Sequence, residues 1–227
     1  MIAPRIALIH ATPLAMDPVA TAFELLWPEA QRMNLLDDSL SADLARAGSL
    51  NQEMVDRMVC LAQYVKTCGA DAILFTCSAF GPAIDEVKRT ICLPTLKPNE
   101  AMFSDALDIC EQLGGERSIG LLTTFAPSEA PMREELLAAI KQRSLKVKIE
   151  GACATGGMAA LNAGDATTHD RLILERARTL ASCDVLMLGQ FSMARAQASV
   201  NDALQKPVLT SPASAVRQLK AVLSGSR

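Results

Sequence analysis

Two stretches decide the fold: Asp71-Ala-Ile-Leu-Phe-Thr-Cys77 and Asp184-Val-Leu-Met-Leu-Gly-Gln190. Each opens on an aspartate, runs apolar for four residues and ends on a polar side chain. They lie 113 positions apart, and the same spacing carries Pro94-Thr-Leu96 onto Pro207-Val-Leu209 and Ile6-Ala-Leu-Ile9 onto Ile119-Gly-Leu-Leu122. It also pairs the strand before Asp37-Asp38-Ser39 with the strand before Glu150-Gly151-Ala152. Four separated segments at one spacing make an internal duplication, with a period far too long for a solenoid unit.

Working outward, short apolar runs alternate with longer amphipathic segments. The runs Ile6–Ile9, Arg32–Leu36, Ala72–Thr76, Thr95–Leu96, Ser118–Leu122, Lys146–Ile149, Val185–Leu188 and Val208–Leu209 read as strands. Between them, Pro18–Trp27, Asn51–Thr67, Asn99–Leu113, Pro131–Arg143, His169–Ser182 and Ser214–Leu223 read as helices, with Pro131 at a first helical position. The Asn51 segment is the clearest: Met54, Val55, Met58, Leu61, Ala62 and Val65 follow helical spacing, and Cys68-Gly69 ends it. Gly81-Pro82 reads as a turn. Strand-helix alternation predicts an α/β fold with parallel sheets, and continuous apolar strands predict sheets covered on both faces. The expected architecture is two pseudo-symmetric lobes, each a roughly four-stranded parallel sheet flanked by helices, with the active site in the cleft between them. The expected boundaries are residues 1–104 and 105–213, with a C-terminal helix over 214–227 packing back on the first lobe.

Composition excludes several function classes. Of the 227 residues, 50% are hydrophobic and 21% charged, with a net charge of −3 and no basic cluster, which argues against a nucleic-acid partner. No stretch approaches the about 18 apolar residues that a membrane helix needs, so no membrane association and a cytoplasmic location are expected. Seven cysteines at irregular spacing, with no C-x-x-C, make neither a disulfide framework nor a zinc site, and two histidines make a poor metal centre. Gly156-Gly157 is not a dinucleotide fingerprint, and there is no phosphate-binding loop; no cofactor and no metal are expected.

In open α/β sheets ligands bind beyond the carboxyl ends of the strands. The residues there are His10, Thr12, Asp38-Ser39 and Thr76-Cys77-Ser78 in one half, and Thr123-Thr124-Phe125, Gly151-Ala152 and Gly189-Gln190-Phe191-Ser192 in the other. Hydroxyls and helix N-terminal N–H groups suit carboxylates and developing oxyanions. A thiol in such a setting is expected to have a lowered pKa and to serve as nucleophile or proton carrier. Cys77 is therefore the candidate catalytic residue. Thr76, Ser78, Thr123, Thr124, Gln190, Ser192, His10 and Ser39 are candidate substrate contacts, with Ser39 readable equally as a helix cap.

The Cys77 segment, its Gln190 counterpart, Leu35–Leu40 (LLDDSL), Thr210–Val216 (TSPASAV) and the duplication together resemble the aspartate/glutamate racemase superfamily over essentially the whole chain. That superfamily includes amino-acid and hydantoin racemases, maleate isomerase and arylmalonate decarboxylase. The resemblance implies a cofactor-independent enzyme acting on a small carboxylate, for which a homodimer would be in keeping. Racemases of this kind carry one cysteine per lobe. Cys77 matches the first, whereas the second position is Gln190, an amide that can be neither acid nor base near neutral pH. A one-cysteine decarboxylase or lyase is accordingly the alternative activity, and a non-catalytic carboxylate-binding protein the alternative class. By the same resemblance Ser78, Thr123 and Thr124 would hold carboxylate or dienolate oxygens, and Phe125 stands where the decarboxylase has a hydrogen-bonding tyrosine.

Overall fold

A computed structural model describes residues 3–225. The chain divides into two compact units, one running to Pro98 and resuming at Ala215, the other spanning Asn99–Ser214. The first unit contains β1 (Arg5–His10), α1 (Met16–Leu26), β2 (Gln31–Leu36), α2 (Ser39–Ala47), α3 (Gln52–Thr67), β3 (Ala72–Phe75), α4 (Gly81–Thr90) and β4 (Thr95–Leu96). The second contains α5 (Glu100–Leu113), β5 (Arg117–Thr123), α6 (Glu129–Gln142), β6 (Val147–Cys153), α7 (Gly157–Asn162), α8 (Ala166–Ala177), β7 (Val185–Leu188), α9 (Gln197–Leu204) and β8 (Val208–Thr210). Helix α10 (Ser211–Gly225) starts in the second unit and continues in the first.

Both sheets are four-stranded and wholly parallel, in the orders β2-β1-β3-β4 and β6-β5-β7-β8. The central strands β3 and β7 are buried at every position, because helices cover them on both faces. The edge strands depart from the expected continuous apolar run. Strand β2 mixes exposed and half-buried residues, and β6 does so too apart from the buried Ala152, since each lies at the rim of its sheet.

Helix α3 shows how sequence builds the first unit. The Asn51 side chain accepts the Met54 N–H at 3.0 Å and starts the helix. Met54, Met58, Ala62 and Val65 are its buried face, and Gly69, at φ +81°, turns the chain toward β3. Met58, Ala62 and Val65 meet Ile73 and Phe75 of β3 and Ala83, Ile84 and Val87 of α4 in one core. Each fully buried aliphatic side chain contributes roughly 1.5–3 kcal/mol. In the second unit α5 and α6 pack on one face of the sheet through Met102, Leu107, Met132 and Leu136, against Leu121 and Met187. Helix α8 covers the opposite face through Ile173 and Ala177, against Leu122, Leu186 and Leu188.

The turn expected at Gly81-Pro82 is a helix start. Both residues belong to α4, where Pro82, lacking an N–H, fits the first turn without losing a bond. Helix α6 begins at Glu129, which puts Pro131 third rather than first.

The duplication is residue-exact in the interior. Ile6 faces Ala72 as Ile119 faces Val185, and Ile73 faces Thr95 as Leu186 faces Val208. The Asp71 carboxylate accepts the Arg5 N–H at 2.7 Å, and Asp184 accepts that of Ser118 at 2.8 Å. At the edge strand the spacing slips. Ile6 pairs with Arg32, whereas Ile119 pairs with Ile149, four positions beyond a constant shift of 113. The backbone N–H of Asp37 donates to His10 O as that of Ala154 donates to Thr123 O, which confirms the slip. Gly151-Ala152 therefore lies inside β6, and the carboxyl end of that strand is Cys153-Ala154.

Candidate functional site

In the first unit β3 delivers Cys77 to its carboxyl end. Cys77 has extended backbone angles, φ −121° and ψ 118°, and precedes a short 3-10 turn over Ser78–Phe80 that leads into α4. Half-buried, it lies with Ile9, His10, Leu40, Met58, Phe75 and Phe80 around a narrow crevice too tight for a water molecule. Burial in this apolar setting pushes the thiol pKa up from 9.0, and the Ala79 N–H bonded to it offsets that only in part. The lowered pKa expected from the surrounding hydroxyls is thus reversed: desolvation outweighs the single N–H. Cys77 rests as a protonated thiol.

His10, at the end of β1, is fully buried. Asn34 Oδ1 can only accept, so the ring proton sits on Nε2, which donates to it at 3.1 Å. Nδ1 then accepts the Thr76 hydroxyl at 3.0 Å. Burial lowers the His10 pKa, and the Asn34 bond opposes this only partly. His10 and Thr76 are consequently a neutral, mutually satisfied pair behind Cys77. Ser78 is half-buried beside the thiol. Ser39 lies in an ionic cluster: its hydroxyl donates to Asp37 Oδ1 at 2.9 Å and accepts from Arg57 at 2.6 Å. Arg57 also binds Asp37 and Asp43, which raise its pKa. A wider groove of about 510 Å3 runs beside this cluster, lined by Asp43, Arg46, Asn51, Met54 and Arg57. Asp43 and Glu53 in its lining balance Arg46 and Arg57, so the groove offers no surplus positive charge.

In the second unit Gln190 occupies the place of Cys77. It has φ −118° and ψ 149° and likewise precedes a 3-10 turn, over Phe191–Ala196. The Thr124 backbone N–H donates to Gln190 Oε1 at 2.9 Å, and the Thr124 hydroxyl does so at 3.3 Å. Gln190 Nε2 donates to Ser128 Oγ at 2.7 Å, and Ser128 donates on to Phe125 O at 2.7 Å. The amide is a clasp between the ends of β5 and β7. Thr123 is fully buried and its hydroxyl has no partner in the structure. Ser192 is buried within the 3-10 turn, and Phe125 is 53% exposed.

All seven cysteines are free thiols. Cys153 is half-buried at the carboxyl end of β6, opposite Thr123, a place the constant spacing had assigned to Gly151-Ala152. Cys183 is buried before β7, where desolvation and Glu150 push its thiol up to about 11. Asn34 and Ser128, the partners of His10 and Gln190, carry no sequence signal of their own. Among the described residues no cluster of three or more His, Cys, Asp or Glu could hold a metal ion, and no helix is long and apolar enough to cross a membrane.

Duplicated parallel sheets whose inner strands end on a thiol in one unit and an amide in the other define a racemase-type α/β protein. The family model for Asp/Glu/hydantoin racemases matches residues 17–219, and the chain belongs to that family. It is thereby an enzyme of the racemase-like isomerase or lyase class. The fold is similar to that of a glutamate racemase isoform from Bacillus anthracis, with a TM-score of 0.72 at 14% identity over 100% of this chain and 84% of that one. Allantoin racemase from Klebsiella pneumoniae gives a TM-score of 0.72 at 15% identity, over 99% of this chain and 89% of its own. A glycine-to-cysteine mutant of arylmalonate decarboxylase gives 0.63 at 19% identity, over 99% and 95%. No curated protein matches the chain at the level of sequence.

Proposed function

We propose that this chain converts a small carboxylate without a cofactor and that Cys77 carries the proton or makes the bond to substrate. The observation that supports this most is the placement of Cys77. It ends the central strand of its sheet, and its sulfur is held by one backbone N–H. In the first unit Ser78 is the hydroxyl proposed to hold a substrate oxygen. In the second, the Thr123 hydroxyl and Ser192 are the proposed contacts, with Thr124 and Gln190 shaping the strand end through their mutual bonds. Thr76, His10 and Ser39 support these groups.

Racemisation or isomerisation is the reading favoured by family membership. Two observations favour the one-thiol lyase as a second reading: an amide stands at the counterpart position, and the Cys77 thiol is held protonated. In that reaction a carboxylate leaves as carbon dioxide, the electron pair stays as a carbanion, and the thiol proton quenches it. The resulting thiolate regains its proton from solvent. A thiol with a raised pKa suits delivery better than abstraction.

Incubation with amino acids, hydantoins, maleate and alkyl- or arylmalonates in deuterated water tests the proposal. At least one compound should undergo deuterium exchange, isomerisation or decarboxylation. Binding of these compounds with no conversion of any would overturn it.

A further inference from the structure

Leu40 of α2 and Met58 of α3 stand with Cys77 around a crevice too tight for a water molecule, so no substrate reaches the thiol until one of them moves. Met58 is fixed, because α3 presents a continuous buried face through Met54, Met58, Ala62 and Val65. Helix α2 is held differently. Leu40, 1% exposed, is the one buried residue of its nine, and Leu44 packs on the core only in part. The later half of α2 stands off α3: a groove of about 510 Å3 separates Asp43, Arg46 and Ala47 from Glu53, Met54 and Arg57. A helix that buries so little apolar surface gains little from packing and opens at low cost.

What ties α2 down is polar. Arg57, on α3, reaches across with both ends of its guanidinium. Nη1 donates to Asp43 Oδ2 at 2.8 Å, and Nη2 donates to Ser39 Oγ and Asp37 Oδ1, both at 2.6 Å. These three partners bracket Leu40 in sequence. Ser41 adds one bond, from its hydroxyl to Ala11 O at 3.1 Å. The side chains of Arg57, Asp37 and Asp43 keep 34%, 16% and 29% of their surface exposed, so water and salt compete for each bond.

We propose that α2 is a lid over Cys77, with Leu40 as its plug and Arg57 as its ionic latch. Arg57 is a positioning residue: it touches no substrate and acts through Asp37, Ser39 and Asp43 on the place of Leu40. Substrate reaches the thiol when the latch parts and Leu40 withdraws. This rests on the proposed function only for Cys77 as the destination of the substrate; the opening itself is a property of the free protein.

Opening is read without substrate, on the full chain, by iodoacetamide modification of Cys77 mapped by mass spectrometry and by hydrogen exchange. Iodoacetamide is uncharged, so salt does not change its approach. Arg57→Gln should speed modification of Cys77 roughly tenfold, the scale of a few partly exposed ion pairs acting together, and leave Cys60 and Cys92 unchanged. Arg57→Lys, which keeps the charge and loses the fork, should fall between. Sodium chloride at about 1 M should speed Cys77 in the wild type about twofold and do nothing in Arg57→Gln. Exchange in Arg57→Gln should rise for the amides of α2 and stay unchanged for those of α3. Leu40→Ala should speed Cys77 with the latch intact, and Arg57→Gln added to it should bring little more. Should Leu40→Ala fail to fold, the Arg57 variants decide. An unchanged Cys77 rate in Arg57→Gln, or a rise in exchange that spreads through α3, would overturn the proposal. Full turnover in Cys77→Ala would remove the proposed chemistry and leave these outcomes as they are.

Discussion

The ends of β3 and β7 have the same backbone and opposite chemistry. Cys77 and Gln190 each leave an inner strand in extended conformation and enter a 3-10 turn. The half-buried thiol takes one N–H from Ala79 and otherwise neighbours the His10 ring and the apolar Leu40, Met58, Phe75 and Phe80. The amide takes two bonds from Thr124 and gives one to Ser128. A duplicated scaffold can therefore keep its register while one copy of a position is left available for chemistry and the other is tied into structure. The two copies differ in their hydrogen-bond partners rather than in their backbone.

Paired substitutions break this comparison most sharply. Cys77→Ala should lower turnover about 10²- to 10⁴-fold, the scale of a lost acid–base group, while costing only about 1 kcal/mol of stability. Gln190→Ala should do the reverse in emphasis. It leaves the Thr124 N–H without its acceptor and should cost roughly 2–3 kcal/mol in chemical denaturation. Equal stability losses in the two variants would contradict the division of roles.

His10 sharpens the comparison through pH. Burial holds its folded-state pKa below the ordinary 6.5, so the unfolded chain binds the proton first. Its contribution is complete above about pH 6.5 and is lost as pH falls below it. Denaturation midpoints measured from neutral to mildly acidic pH should drop, and His10→Gln should flatten that slope even though it lowers stability overall. A variant with the same slope as the wild type would remove His10 as its source.

The smallest expected effect is kinetic. At neutral pH, iodoacetamide should modify the exposed Cys60 and Cys92 ahead of Cys77, whose thiolate is suppressed, and Cys183 should resist longest. Mass-spectrometric mapping over time gives the order, and Cys77 reacting first would contradict the raised pKa.

Much of this molecule is legible in its sequence, for identifiable reasons. The inner strands are short apolar runs, and the interior repeat survives because central strands tolerate no insertion. Helix α4 was obscured because Gly81-Pro82 carries the composition of a turn and the geometry of a helix start. The four-residue slip at β6 was hidden because the spacing returns to 113 at β7, so inserted and deleted residues cancel. The slip conceals the true strand end at Cys153. The direction of the Cys77 shift was out of reach for a different reason. It depends on Leu40, Met58 and Phe80, which only tertiary packing brings to the thiol.

The measurement closest to the central claim is residual turnover against the fraction of Cys77 alkylated, in a background carrying Cys60→Ser and Cys92→Ser. With a compound that the wild type converts, activity should fall in proportion to Cys77 occupancy and vanish when modification is complete. Full activity in fully alkylated protein would contradict the assignment of the chemistry to Cys77.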